Sequence, residues 1–153
     1  MNFESFEEII KFAIEKENEA ASFYTKAAGQ EPFAAIKKAL EEMSKEEKKH
    51  ATLLENLGKN KESIEKYKFK WVPDLKRSDY MVDMTYKPGM PYLDILRLAM
   101  KREGVALKMY NDLQGKTDNE EHIKVFKILC QEEAKHKNYL ETIYDDFMAA
   151  QGD

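Results

Sequence analysis

Between residues 33 and 57 the positions Phe33, Ile36, Leu40, Met43, Glu47, His50, Leu54 and Leu57 recur at alternating steps of three and four. That spacing turns one face of an α-helix inward. All are apolar except Glu47 and His50, which stand where hydrophobes are expected. A buried carboxylate without a partner costs several kcal/mol or neutralises itself. On this helix alone, metal ligation and a Glu–His hydrogen bond that merely staples helices explain the pair equally well.

The pattern returns in Phe126, Leu129, Glu133, His136, Leu140, Ile143 and Phe147, and Glu133 and His136 each lie 86 positions after Glu47 and His50. Two further helices carry a single inward charge. One reads Phe6, Ile10, Ala13, Glu17, Ala20, Tyr24 and Ala27; the other reads Tyr92, Leu96, Ala99, Glu103, Ala106, Tyr110 and Leu113. The same 86-residue offset relates Glu17 to Glu103, Tyr24 to Tyr110 and Gly29 to Gly115.

Local signals bound these helices. Ser5 with Glu8 forms a capping box and Gly29 is expected to close the first helix. Pro32 suits the first turn of the second, and Gly58 its end. A connection as short as 29–32 makes these two helices antiparallel neighbours. Pro91 opens the third helix and Gly115 closes it; Thr117 or Asp118 with Glu120 or Glu121 caps the fourth, which runs to about Ala149. Gly104, inside the third helix, either leaves room beside the site or permits close packing.

Residues 59–91 break the helical period. A short helix at 62–67 is followed by an alternation through Lys66, Tyr67, Lys68, Phe69, Lys70 and Trp71 that suggests an extended segment. Pro73, Met81, Met84, Tyr86, Pro88 and Gly89 follow. Such a segment can run the length of a helix and leave the third helix parallel to the second. Its aromatic side lies against the helices or forms a subunit interface. The predicted architecture is all-α: one domain over 1–153, a four-helix bundle with a long crossover, 59–91, between helices 2 and 3.

Composition narrows the function. A net charge of -4 argues against a nucleic-acid surface, and 42% hydrophobic with 35% charged residues indicates a folded helical chain. Cys130, the sole cysteine, allows neither an internal disulfide nor a four-cysteine metal site. No apolar run is long enough to span a bilayer and the N-terminus lacks signal-peptide features, so the expected location is cytoplasmic. His122 has no inward carboxylate at matching spacing and reads as a surface residue.

If the helices form a bundle, Glu17, Glu47, His50, Glu103, Glu133 and His136 converge at one level of its core. Four crowded carboxylates cannot all stay ionised without cations. Two divalent metals balance them, whereas a satisfied polar core does not. Carboxylate and imidazole donors without thiolate suit Fe(II), Mn(II) or Zn(II). Tyr24 and Tyr110 are placed to hydrogen-bond a ligating carboxylate, or are ordinary core tyrosines.

These motifs, Glu17 with Tyr24, Glu47-x-x-His50, Glu103 with Tyr110 and Glu133-x-x-His136, resemble those of the ferritin-like di-iron carboxylate superfamily, and of its rubrerythrin-like members in particular. The resemblance spans all four helices; 59–91 matches only in role. It implies two iron ions in a centre that reacts with peroxide or oxygen, and an external electron donor is expected. A homodimer or higher oligomer is expected through the aromatic crossover, with neither nucleic acid nor membrane as partner. Two features depart from rubrerythrins proper. Residues 1–153 hold no rubredoxin-type four-cysteine motif, and Ala106 stands where a further Glu would follow the third-helix ligand. The set is closer to the symmetric ferritin or bacterioferritin arrangement. Ferrous oxidation with storage or transfer, and a non-catalytic metal-stabilised helical binding protein, are the competing functions.

Overall fold

A computed structural model describes residues 3–69 and 85–151. Its elements are α1 (Phe6–Gln30), α2 (Ala34–Lys59), α3 (Glu62–Lys66), α4 (Tyr92–Gln114) and α5 (Glu120–Gln151). No strand occurs among the described residues, and the all-α expectation holds. The chain falls into two compact units: 1–68 with 118–125, and 69–117 with 126–153. Helix α5 begins in the first and continues through the second.

In the first unit α1 starts as its capping signal dictates. Ser5 Oγ accepts from Glu8 N at 3.2 Å, and Glu8 Oε2 accepts from Glu4 N at 2.9 Å. The helix passes through Gly29 and stops at Glu31, whose N–H reaches back to Ala28 O. Pro32 lies just before α2 rather than in its first turn. Phe33 is the N-cap residue, in extended conformation and 56% exposed, so its expected place on the inward face is not realised. Its side chain leaves the chain before the helical register begins.

α1 and α2 run antiparallel: Ala21 meets Ser44 at one end of their contact and Ile10 meets Gly58 at the other. Gly58 does not end α2, which continues to Lys59. A Cβ there would stand 3.1 Å from Ile10 Cγ2, so the glycine serves close approach of the two helices. Ile9, Ile10, Ala13, Leu40, Met43, Leu54 and Leu57 are buried around that seam. α3 realises the short helix expected near 62–67 and buries Ile64.

The second unit repeats the plan with α4 and the body of α5. Tyr92 stacks edge-on to Phe147 at 5.4 Å, and Arg97 lies over Tyr144 at 5.8 Å, so these helices are antiparallel too. Pro91 is the N-cap of α4 and Gly115 its C-cap, as expected. α5 is capped neither by Thr117 nor by Asp118: Asn119 Oδ1 accepts from Glu121 N at 2.9 Å and His122 N at 3.1 Å. An Asn side chain there satisfies donors the first turn would otherwise leave open.

Before α4, Met90 N donates to Lys87 O at 3.1 Å and Gly89 has φ 82°. Proline followed by a positive-φ glycine is the signature of a type II turn, and only glycine takes that φ without strain. The alternation through Lys70 and Trp71, and Pro73, Met81 and Met84, lie outside the described residues.

Candidate metal centre

The inward charges are inward in fact. Glu17, Glu47 and His50 are 3%, 2% and 8% exposed, among buried apolar neighbours on α1 and α2. Each interrupts an apolar stripe that cannot face water without also exposing Ile10, Ala13, Met43 or Leu54, so packing of the stripe carries the charges inside. His50 Nδ1 stands 3.5 Å from Glu17 Oε2 and 3.7 Å from Glu47 Oε2. One donor atom from each of the three lies within 4.8 Å of the others.

The second unit builds its counterpart. Glu103 on α4 and His136 on α5 meet, with Nδ1 2.8 Å from Oε1. Glu133, one turn before His136, is also buried. Tyr24 and Tyr110 are each 1% exposed on the same helices as Glu17 and Glu103. By unit, Glu17, Glu47 and His50 come together in the first, and Glu103 meets His136 in the second, where Glu133 is also buried.

The charge crowding leaves a mark on His50. Burial is the largest single influence and lowers its pKa, but contacts with Glu17 and Glu47 together outweigh it and raise it from 6.5 to about 9. At 3.5 and 3.7 Å these are charge contacts rather than tight hydrogen bonds, and the direction rests on two carboxylates facing one imidazole. Without metal, His50 is therefore a cation at neutral pH. Because its folded pKa is raised, the contact stabilises the metal-free protein fully below pH 6.5, and that stability is lost as pH climbs through about 9. The expected loss is up to about 3 kcal/mol. Melting temperatures of chelator-treated protein across that range should fall, and His50→Gln should remove the slope. A metal ion must displace the same proton, so loading should tighten as pH rises.

Among the described residues, three buried polar groups besides Glu31 fall outside the sequence expectations. His122 is 7% exposed, not a surface residue. It stands four positions before Phe126, and the α5 stripe simply begins one turn earlier than expected. Lys137 and Glu141 are 4% and 0% exposed and paired at 3.6 Å. They occupy the position next to the a/d stripe, which is buried where a helix is covered over a wide arc. Ser44 is the third: its hydroxyl donates to Ala21 O at 2.9 Å, joining α2 to α1 one turn before Glu47.

Buried carboxylates and imidazoles in duplicate, with no sulfur donor among them, are a donor set suited to metal ions such as iron. An all-α chain carrying them as Glu and Glu-x-x-His on paired long helices is a ferritin-like protein of the carboxylate–histidine class. The Rubrerythrin family model matches residues 8–144, and the chain belongs to that family. A hypothetical protein from Pyrococcus furiosus is similar in structure, with a TM-score of 0.53 and 25% identity over 93% of this chain and 89% of that one. No curated protein matches the sequence. Among the described residues no helix is long and apolar enough to cross a membrane.

Proposed function

We propose that this protein is a di-iron oxidoreductase that reduces peroxide or oxygen. The observation that carries the reading is the burial, in each helix pair, of carboxylates and a histidine within the residues that the family model matches. Glu17, Glu47 and His50 would hold one metal and Glu103, Glu133 and His136 the other. Four carboxylate charges then meet two divalent ions, which makes a dry acidic interior tolerable. Iron bound there would supply the electrons and a Lewis acid for cleaving an O–O bond.

The chain's own part is to bind, to exclude water and to manage protons. The apolar stripes flanking each ligand keep bulk water from the donors. His50 releases its proton on loading, and the phenols of Tyr24 and Tyr110 would orient ligating carboxylates by hydrogen bonds. Residues 1–153 contain one cysteine, Cys130, and the reading includes an external electron donor. Mn or Zn would fit the same donors without the same redox use.

Metal analysis of protein purified without added metal, joined to anaerobic iron loading and a peroxide-consumption assay, tests this. Two irons per chain with peroxide consumed supports it; stoichiometric zinc with no peroxide consumption would leave only the non-catalytic reading. Ala106, where a further carboxylate would make the set asymmetric, favours a second reading, ferrous oxidation for storage or transfer. Storage needs a hollow shell of many subunits, so sedimentation as a monomer or dimer removes it.

A further inference from the structure

The offset that relates the two ligand sets also relates Ser44 to Cys130 and Ala21 to Leu107, each pair 86 positions apart. In the first unit Ser44 is 3% exposed and its hydroxyl donates to Ala21 O at 2.9 Å. Thr25 Oγ1 lies 2.7 Å from Ser44 Oγ. The serine's one proton is committed to the carbonyl, so the threonine donates and the serine accepts. The two bonds form a strap from α1 to α2, one turn before Glu47.

At the equivalent place in the second unit, Cys130 stands one turn before Glu133 and its Sγ is 4.0 Å from Leu107 O. A thiol is a weak donor, and at this distance it holds little. Burial first, and the Glu133 charge second, push the Cys130 thiol up to about 11, so it stays a neutral S–H. The position equivalent to Thr25 is Asn111, which is exposed.

We infer that Ser44 is a positioning residue and that the Ser44/Cys130 difference makes the two metal-binding halves unequal: the metal at Glu17, Glu47 and His50 is held longer than the one at Glu103 and His136. The inference rests on the metal-binding reading above. Its physical basis is local. For a metal to leave, carboxylate and imidazole on neighbouring helices must part, and a buried hydroxyl–carbonyl bond across one pair resists that opening. A net hydrogen bond of ordinary strength slows such an opening about five- to tenfold.

Two readouts decide it. Protein loaded anaerobically with ferrous iron is mixed with excess colour-forming chelator, and release is followed in time. Two phases of equal amplitude, about five- to tenfold apart in rate, are expected. His50→Ala should remove the slow phase and His136→Ala the fast one. Ser44→Ala or Ser44→Cys should bring the slow phase to the fast rate. Ala21 O keeps its place in the α1 helix ladder in these variants, so folding is retained. Cys130→Ser combined with Leu107→Ala, which lets the helices approach, should slow the fast phase.

The second readout needs no metal. In the metal-free protein, amides of 44–50 should exchange more slowly than those of 130–136, and Ser44→Ala should cancel the contrast. A single release phase in the wild type, or exchange and slow release untouched by Ser44→Ala, overturns the inference. Protein that takes up no iron at all counts against the functional reading instead, and the exchange contrast still decides the role of Ser44.

Discussion

Glu47→Leu is expected to give a protein that melts higher than the wild type when both are metal-free, and that loads at most one iron. Glu47 is 2% exposed, between Met43 and Leu54 on the inward face of α2. Leucine restores the apolar period there at comparable volume. Replacing a whole buried ion pair or triad by packed hydrophobes is commonly neutral or stabilising by about 1–4 kcal/mol, and Glu47 is the surplus carboxylate of a set in which one imidazole faces two. His50 keeps Glu17 at 3.5 Å, so its charge is not abandoned. For a chain of this size the gain corresponds to about 5 °C. Iron should reverse the order, because only the wild type gains free energy from binding two ions. Glu133→Leu should behave alike, and the double variant should bind essentially none. Calorimetry with chelator and with iron, alongside metal analysis, checks both halves of the expectation. A variant that melts lower without metal and still loads two irons would show that these carboxylates are structural. Stability given up for a functional site is a common pattern in proteins, and opposite signs with and without metal are its signature here.

The features legible in the sequence are those that depend on helical period. Glu17, Glu47, His50, Glu103, Glu133 and His136 could be found because each is an exception inside a long regular stripe, and the exceptions recur at one offset. Their burial follows from the hydrophobes around them. Helix ends were less legible. Gly29 and Gly58 look like stops, but glycine ends a helix only where the next turn cannot continue; at Gly58 the requirement is clearance for Ile10. Phe33 looks like part of a stripe because spacing alone does not say where helical register begins. The width of a buried face was the other gap. Period identifies the centre of a stripe, whereas Lys137 and Glu141 lie at its edge, and whether an edge is covered depends on what packs beside it. Ser44 escaped for a related reason: a serine beside Met43 reads as surface until its hydroxyl is seen to have a carbonyl on another helix.

Lys137→Met is expected to cost far more stability than its position beside the ligand stripe suggests. The Lys137 and Glu141 side chains are 5% and 1% exposed, with Nζ 3.6 Å from Oε2, one turn apart on α5. An exposed pair at this spacing is worth a few tenths of a kcal/mol, and its loss is barely measurable. Burial changes the arithmetic. Removing the ammonium takes away a cation 3.6 Å from the buried Glu141 carboxylate, and breaking buried pairs from one side costs about 3–5 kcal/mol. That is a large part of the total stability of an ordinary domain, and about 10 °C in melting temperature. Lys137→Met with Glu141→Leu removes both charges and should recover most of the loss. The single variant has the opposite sign to Glu47→Leu, although both delete one buried charge. Glu47 belongs to a set with an excess of negative charge that removal relieves, whereas Lys137 puts a positive charge beside a buried carboxylate. Iron stoichiometry separates them further, since Lys137 is not among the donors and Lys137→Met should still load two ions below its melting temperature. Denaturant or thermal unfolding of both single variants and the double gives the coupling directly. A loss below about 1 kcal/mol, the scale of an exposed pair, would show that Lys137 is not what compensates the Glu141 charge.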